Sequence, residues 1–258
     1  MTQLVFITGA SSGIGQALAW QFYQSGCNLA LVARRSEVVQ AWAQAQGVEP
    51  QRLRIYSADV ADVDSIVSAG RQCMAQQGLP DVVIANAGIS VGIDTAVRSD
   101  LDVMTRTFAT NNIGLAATFH PFVGAMCARG SGTLVGIGSV AGIRGLLGHG
   151  AYCASKAAVI AYCESLRGEL RSSGVAVVTI CPGYIDTPLT RQNSYSMPFL
   201  MQVDDFARRA FKAIQAGSSY QVIPWQMGVV AKLLRLLPNA LFDRALSGRP
   251  RKRRADQT

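Results

Sequence analysis

Tyr152 and Lys156 stand four residues apart in the run Tyr152-Cys153-Ala154-Ser155-Lys156. Residues at i and i+4 share one face of a helix. An ammonium beside a phenol favours the phenolate. The spacing therefore predicts a tyrosine drawn down from its ordinary pKa of about 10 toward neutrality, where proton transfer is efficient. Taken alone, such a pair is an ordinary exposed neighbour pair on a helix. The rest of the chain gives it a different meaning.

The run Thr8-Gly9-Ala10-Ser11-Ser12-Gly13-Ile14-Gly15 follows an apolar segment, Leu4–Thr8, and opens a segment with helical spacing. Its glycines follow G-x-x-x-G-x-G, not the G-x-G-x-x-G of the general dinucleotide fingerprint. The physics is the same. Glycines allow a tight turn and close approach of a pyrophosphate, and the helix start offers free N–H groups and the positive end of the dipole. The second apolar run ends Leu31-Val32-Ala33-Arg34-Arg35. A site for NAD usually carries an acid here, bonded to the ribose 2′-OH. Alanine followed by two arginines instead suits a 2′-phosphate, which a guanidinium fork binds well. The cofactor expected is therefore NADP(H). Asp59-Val60 could meet its adenine, and Asn86-Ala87-Gly88 its ribose.

These motifs need a frame. Apolar strand-like runs at Leu4–Thr8, Leu29–Ala33, Leu53–Ser57, Val82–Ala85, Thr133–Ile137, Val175–Ile180 and Tyr220–Ile223 alternate with helix-like stretches. The helices are expected at 14–25, 37–46, 62–77, 100–129, 151–173 and 204–216. Such alternation predicts a doubly wound α/β/α fold with a parallel sheet. Ligands then bind beyond the carboxyl ends of the strands. No linker or internal repeat divides the 258 residues, so residues 1–248 read as one domain and 249–258 as a disordered basic tail. The net charge is +8, and falls to +4 without Arg251, Lys252, Arg253 and Arg254, so nucleic acid is not implied. Six scattered cysteines read as small core residues in a reducing compartment, which points to the cytoplasm. With two histidines and no clustered ligands, no metal site is expected. The opening apolar run is too short for a signal peptide, and no stretch reaches the roughly 20 apolar residues of a membrane span.

Ser139 closes one strand, Asn111 sits inside the long helical stretch, and Pro182-Gly183-Tyr184-Ile185-Asp186-Thr187 follows another strand. With Thr8–Gly15, Asn86-Ala87-Gly88, Tyr152 and Lys156, these motifs resemble the compact, single-domain branch of the short-chain dehydrogenase/reductase family. The resemblance covers residues 3–224. It implies a seven-stranded sheet, a nicotinamide cofactor, homodimers or homotetramers, and a catalytic tetrad of Asn111, Ser139, Tyr152 and Lys156. By that resemblance Tyr152 is the acid or base, Lys156 lowers its pKa and bonds the nicotinamide ribose, and Ser139 orients the substrate oxygen. Asn111 would hold a water linking Lys156 to solvent. Pro182, Gly183, Ile185 and Thr187 would line the nicotinamide.

The resemblance places a substrate lid at Pro188–Val203, where Met197, Phe199, Leu200 and Met201 suit an apolar carbonyl or alcohol, or simply pack the lid. His149 reads as a loop residue or a pocket residue. A basic amphipathic helix is expected over 226–246. It can cover the pocket, form a subunit interface or touch a membrane surface, and the first two are preferred. A non-catalytic NADP-binding redox regulator is the rival class. The full tetrad argues against it.

Overall fold

Strands that are apolar on both faces must be covered on both faces, and helical crossovers do this. The computed structural model describes residues 2–191, 193, 195–248 and 250–254. Seven strands form one parallel sheet: β1 (Leu4–Thr8), β2 (Asn28–Ala33), β3 (Leu53–Ser57), β4 (Val82–Ala85), β5 (Gly132–Ile137), β6 (Val175–Pro182) and β9 (Tyr220–Ile223). Their order is β3-β2-β1-β4-β5-β6-β9. The chain winds outward from β1 to β3, then returns to place β4 on the other side of β1. The crevice at this reversal is where the chemical motifs gather.

On one face lie α3 (Val63–Gln77), α5 (Gly114–Arg129) and α6 (Gly150–Glu169). They cover a core that includes Phe6, Phe119, Phe122 and Met126, with the Phe6 and Phe122 rings edge to face at 4.9 Å. On the other face α1 (Gly13–Gln24), α2 (Ser36–Ala45) and α8 (Val203–Gln215) cover Leu18, Phe22, Val39 and Phe206. A short pair, β7 (Ile185–Asp186) and β8 (Met201–Gln202), frames the lid, and α7 (Pro188–Arg191) lies between them.

The single helix expected over 100–129 is two, α4 (Arg98–Phe108) and α5, joined by a π-helical turn at Ala109–Ile113. The reason is local. Asn111 and Asn112 turn inward to bond Ile89 and Ser155, and Gly114 presses on the backbone of Val60. A wider turn at this point accommodates both contacts.

The C-terminal helix is likewise two, α9 (Trp225–Leu236) and α10 (Asn239–Leu246), broken at Pro238. Proline has no N–H to continue the ladder. The freed carbonyls of Leu234, Arg235 and Leu237 accept from Arg144 Nη1 at 2.7–2.9 Å. Helix α9 buries Met227, Gly228 and Ala231 but leaves Trp225, Val229, Leu233 and Leu236 exposed. Among the described residues, none covers that face.

Within the span expected as a tail, Arg251–Arg254 is docked, because Arg254 finds the buried carboxylate of Asp100, with Nε to Oδ2 at 2.7 Å; 249 and 255–258 lie outside the described residues.

Phe122 is fully buried against Phe6. Phe122→Ala should lower unfolding stability by about 3–5 kcal/mol in urea titration. A loss below about 1 kcal/mol would show that the site collapses around the cavity.

Candidate functional site

The glycine-rich turn between β1 and α1 is built around contacts that exclude side chains. Gly9 has φ +69, and a Cβ there would meet Ala87 Cα at 2.8 Å. A Cβ on Gly15 would strike the Gly9 carbonyl and lie 2.6 Å from Asn86 Nδ2. Ser12 precedes α1 without a side-chain cap, so the first N–H groups of the helix face the cleft unclaimed by a capping side chain.

The turn is held from the side by β4. Asn86 Nδ2 donates to the carbonyls of Thr8 (3.0 Å) and Gly9 (3.3 Å). The Asn86 and Ala87 N–H groups donate to Thr8 Oγ1 at 3.1 and 3.2 Å. Asn86, expected to line a ribose, also braces the glycine turn with its amide. Thr8 was missed as a site residue. Its one signal was a polar side chain at the end of an otherwise apolar strand.

A single cleft of about 730 Å³ runs along the carboxyl ends of the strands. Gly9, Ser11, Ser12, Gly13 and Ile14 line one part, with Arg34, Arg35, Asp59 and Val60 beside them. Asn86, Ala87 and Gly88 line the middle. Ser139, Tyr152, Lys156, Pro182, Gly183, Ile185 and Thr187 line the far end. Of the sequence-predicted site residues, only Gly15 and Asn111 stand behind the wall. Arg34 lies 3.6 Å from Asp59 across the mouth; the arginine is largely in water and the aspartate half-buried. Arg106, on α4, also lines the cleft and was not foreseen.

At the far end, Ser139 leaves β5 in extended conformation and its Oγ accepts from the Ala141 N–H at 3.1 Å. Its hydroxyl lies near enough to the Tyr152 phenol to favour the phenolate. Lys156 is buried, with Nζ 2.8 Å from the carbonyl of Ile137 and 5.8 Å from the centre of the Tyr152 ring. A Cβ on Gly88 would lie 3.2 Å from Asn111 Oδ1 and 3.5 Å from Lys156 Nζ, so the glycine leaves room for both groups. Asn111 is fully engaged: Oδ1 accepts from Ile89 N at 2.9 Å, and Nδ2 donates to Ile89 O (3.1 Å) and Ser155 Oγ (2.9 Å).

The electrostatics reverse one expectation. Burial pushes the Tyr152 phenol up to about 12, against the lowering effect of its hydrogen bond to Ser139. Burial likewise pulls Lys156 down to about 8. The lysine points at a carbonyl and sits over the ring, not against the phenolic oxygen, so desolvation outweighs its attraction for a phenolate.

His149, left open between loop and pocket, is buried at the start of α6. Its Nδ1 lies 2.9 Å from the Leu147 carbonyl, which accepts only from a protonated nitrogen. Burial lowers its pKa, so the neutral ring presents Nε2 as an acceptor to the Tyr195 hydroxyl at 3.0 Å. Tyr195 packs edge-on to Tyr184 at 6.3 Å. Tyr195 thus packs between His149 and Tyr184, while Phe199 and Leu200 face solvent.

A family model described as short chain dehydrogenase matches residues 3–197. The chain belongs to the short-chain dehydrogenase/reductase family. An uncharacterized oxidoreductase of Myxococcus xanthus is 39% identical over 242 residues, spanning 93% of this chain and 94% of that protein. The dehydrogenase/reductase SDR family member 7B of Bos taurus is 32% identical over 268 residues, covering 97% of this chain and 82% of that protein. Among solved structures, a short-chain dehydrogenase from Sphingobium yanoikuyae in complex with NADPH superposes with a TM-score of 0.77. It is 25% identical and covers 92% of this chain and 97% of that one. The protein is accordingly an oxidoreductase of this family with its nucleotide-binding fold.

A lysine depressed from 10.5 to about 8 binds fewer protons in the folded chain than in the unfolded chain between those values. Stability contributed by this group therefore rises with pH through that window, by at most about 1.4 kcal/mol per pH unit. Unfolding free energies of the wild type should gain on those of Lys156→Met between pH 8 and 10. Parallel pH profiles would show that the ammonium is not desolvated.

Proposed function

We propose that the protein is an NADP-dependent oxidoreductase that moves hydride reversibly between NADP(H) and the carbonyl or secondary alcohol of an apolar substrate. The observation that carries this reading is a convergence. Ser139, Tyr152 and Lys156 meet at one end of a cleft whose other end is the glycine turn and the Arg34-Arg35 pair.

The residues present fit the cofactor. Backbone at Ser11, Ser12, Gly13 and Ile14 would hold the pyrophosphate, since Gly9 and Gly15 keep the turn free of side chains. Arg34 and Arg35 would take the 2′-phosphate, and Ala33 leaves no acid for a bare diol. The NADPH carried by the Sphingobium relative supports that preference. Asp59 and Val60 would meet the adenine, and Asn86, Ala87 and Gly88 one ribose. Pro182, Gly183, Ile185 and Thr187 would bracket the nicotinamide. When bound, the nicotinamide supplies or accepts the hydride.

The chain's own groups manage the proton. With its Oγ already accepting from Ala141, Ser139 keeps its hydroxyl proton for the substrate oxygen or the phenol. Tyr152, protonated at neutral pH, donates to the developing alkoxide in reduction and takes the proton back in oxidation. Lys156 would bond the nicotinamide ribose and, close to it, offset the burial of the phenol. Asn111 fixes the position of α6 through Ser155. Met197 and Met201, half-buried in the lid segment, would favour an apolar substrate.

The exposed face of Trp225, Val229, Leu233 and Leu236 supports a homodimer or homotetramer, whose second copy would cover it. The six cysteines are free, and we place the protein in the cytoplasm on that ground.

Two substitutions test the reading. Tyr152→Phe should cut NADPH-dependent carbonyl turnover by at least the 10²–10⁴-fold typical of a lost general acid, with cofactor binding retained. Retention of a tenth of the wild-type rate would exclude Tyr152 as the acid. Arg34→Ala should weaken NADPH binding by tens of fold and leave NADH nearly unchanged, as loss of a hydrogen bond worth roughly 1.5–3 kcal/mol requires. Calorimetry with both cofactors decides this, and equal losses would remove Arg34 from the phosphate site.

A further inference from the structure

The C-terminal tail runs through a groove that has been cleared for it. One wall is the Val91–Asp94 loop and the other is the Leu147–His149 turn, and the two are joined by Ile93 N donating to Gly148 O at 3.0 Å. Gly92 and Gly148 face the tail from opposite sides. A Cβ on Gly92 would strike the carbonyls of Lys252 and Arg253, and one on Gly148 (φ +72) would lie 2.9 Å from Lys252 N. Gly92 N donates to Arg253 O at 2.9 Å, and Gly92 pairs with Arg254 as an isolated parallel bridge.

The end of the groove reads charge. Asp100 is only 4% exposed, and its Oδ2 takes both Asp94 N and Arg254 Nε at 2.7 Å. Arg254 Nη2 reaches Oδ1 at 3.3 Å, which makes the contact two-pronged. Removing either partner would strand a desolvated charge, so this pair fixes the tail far more firmly than a surface ion pair would. Arg251 lies 3.5 Å from Asp94 at the rim. Between these anchors, Lys252 turns the other way, and its Nζ donates to Asn193 Oδ1 in the lid at 2.6 Å. Asn193 in turn contacts Met197 Sδ at 3.7 Å, and Tyr195 is tied to His149 on the turn that walls the groove.

We propose that this groove is a binding site for the chain's own basic C-terminal segment, and that the docked segment is a strap holding the lid over the substrate side of the cleft. Arg254 is the anchor and Lys252 the positioning residue that reaches the lid. The strap's effect on substrate rests on the reductase reading above; the docking itself does not.

Hydrogen exchange and kinetics on the full chain separate the two. In Arg254→Gln, the Gly92 amide should exchange at least tenfold faster, and so should peptides containing Asn193 and Tyr195. Arg244→Gln, an equal charge change on exposed α10, should alter neither. Lys252→Met should free the lid peptides while Gly92 stays protected, which keeps the test decisive should Arg254→Gln fold poorly. In NADPH oxidation with a panel of ketones and aldehydes, both tail variants should raise KM threefold or more with kcat within twofold. Unchanged Gly92 exchange in Arg254→Gln overturns the docking. Faster Gly92 exchange with unchanged lid exchange and KM overturns the strap. If the wild type turns over no carbonyl, the reductase reading fails, and lid exchange in Lys252→Met alone decides the strap.

Discussion

Five hydrogen bonds, the longest 3.4 Å, stitch the carboxyl ends of β1 and β4 together, and most of the site hangs from them. At a switch point two parallel strands send their following segments to opposite faces of the sheet, so a crevice opens between them. Thr8 and Asn86 bridge that crevice at its base. The threonine hydroxyl receives two N–H groups from Asn86 and Ala87 and reaches toward Ile84 O, while the asparagine amide grips the carbonyls of Thr8 and Gly9. The glycine turn is thereby aimed, Gly88 is set against Asn111 and Lys156, and the cleft acquires a floor.

The far end of the cleft rests on a second junction. Ser155 lies between Tyr152 and Lys156 on α6 and receives Asn111 Nδ2 on its hydroxyl and Asn112 Nδ2 on its carbonyl. Its own hydroxyl donates to Tyr152 O at 2.8 Å. The π turn and the helix bearing the phenol are thus one rigid piece. Burial in that piece keeps the phenol protonated and makes the ammonium costly. Two groups pushed in opposite directions by the same desolvation become sensitive to any charge brought near them.

Much of this was legible in the residues. Strand positions followed from short apolar runs, and the observed strand limits differ from them by two residues at most. Many cleft-lining residues followed from motif spacing, because the glycine turn, Arg34, Asp59, Asn86, Ser139 and Gly183 follow strand ends, while Tyr152 and Lys156 reach the cleft from α6. What could not be read were contacts made by side chains far apart in sequence. Periodicity runs unbroken through 100–129, and nothing in it shows that Asn111 and Asn112 meet a helix some 43 residues away. The direction of the Tyr152 shift depends on where an ammonium points, which i,i+4 spacing leaves open. Composition made the basic tail look solvated, since Asp100 is 154 residues distant and reads as an ordinary helix-start acid. The break at Pro238, by contrast, is legible in the sequence, since a proline ends a helix even where the apolar pattern continues past it.

The two glycines that flank the tail leave an evolutionary signature. A side chain at position 92 or 148 would collide with the backbone of Lys252 or Arg253, whatever residues the tail carries. Homologues that keep the tail in its groove must therefore keep both positions small, together with an acid at 100. Lineages that have lost or rerouted the tail are released from all three constraints at once. Substitutions at these sites should be correlated across the family, and the correlation would mark which members carry the arrangement.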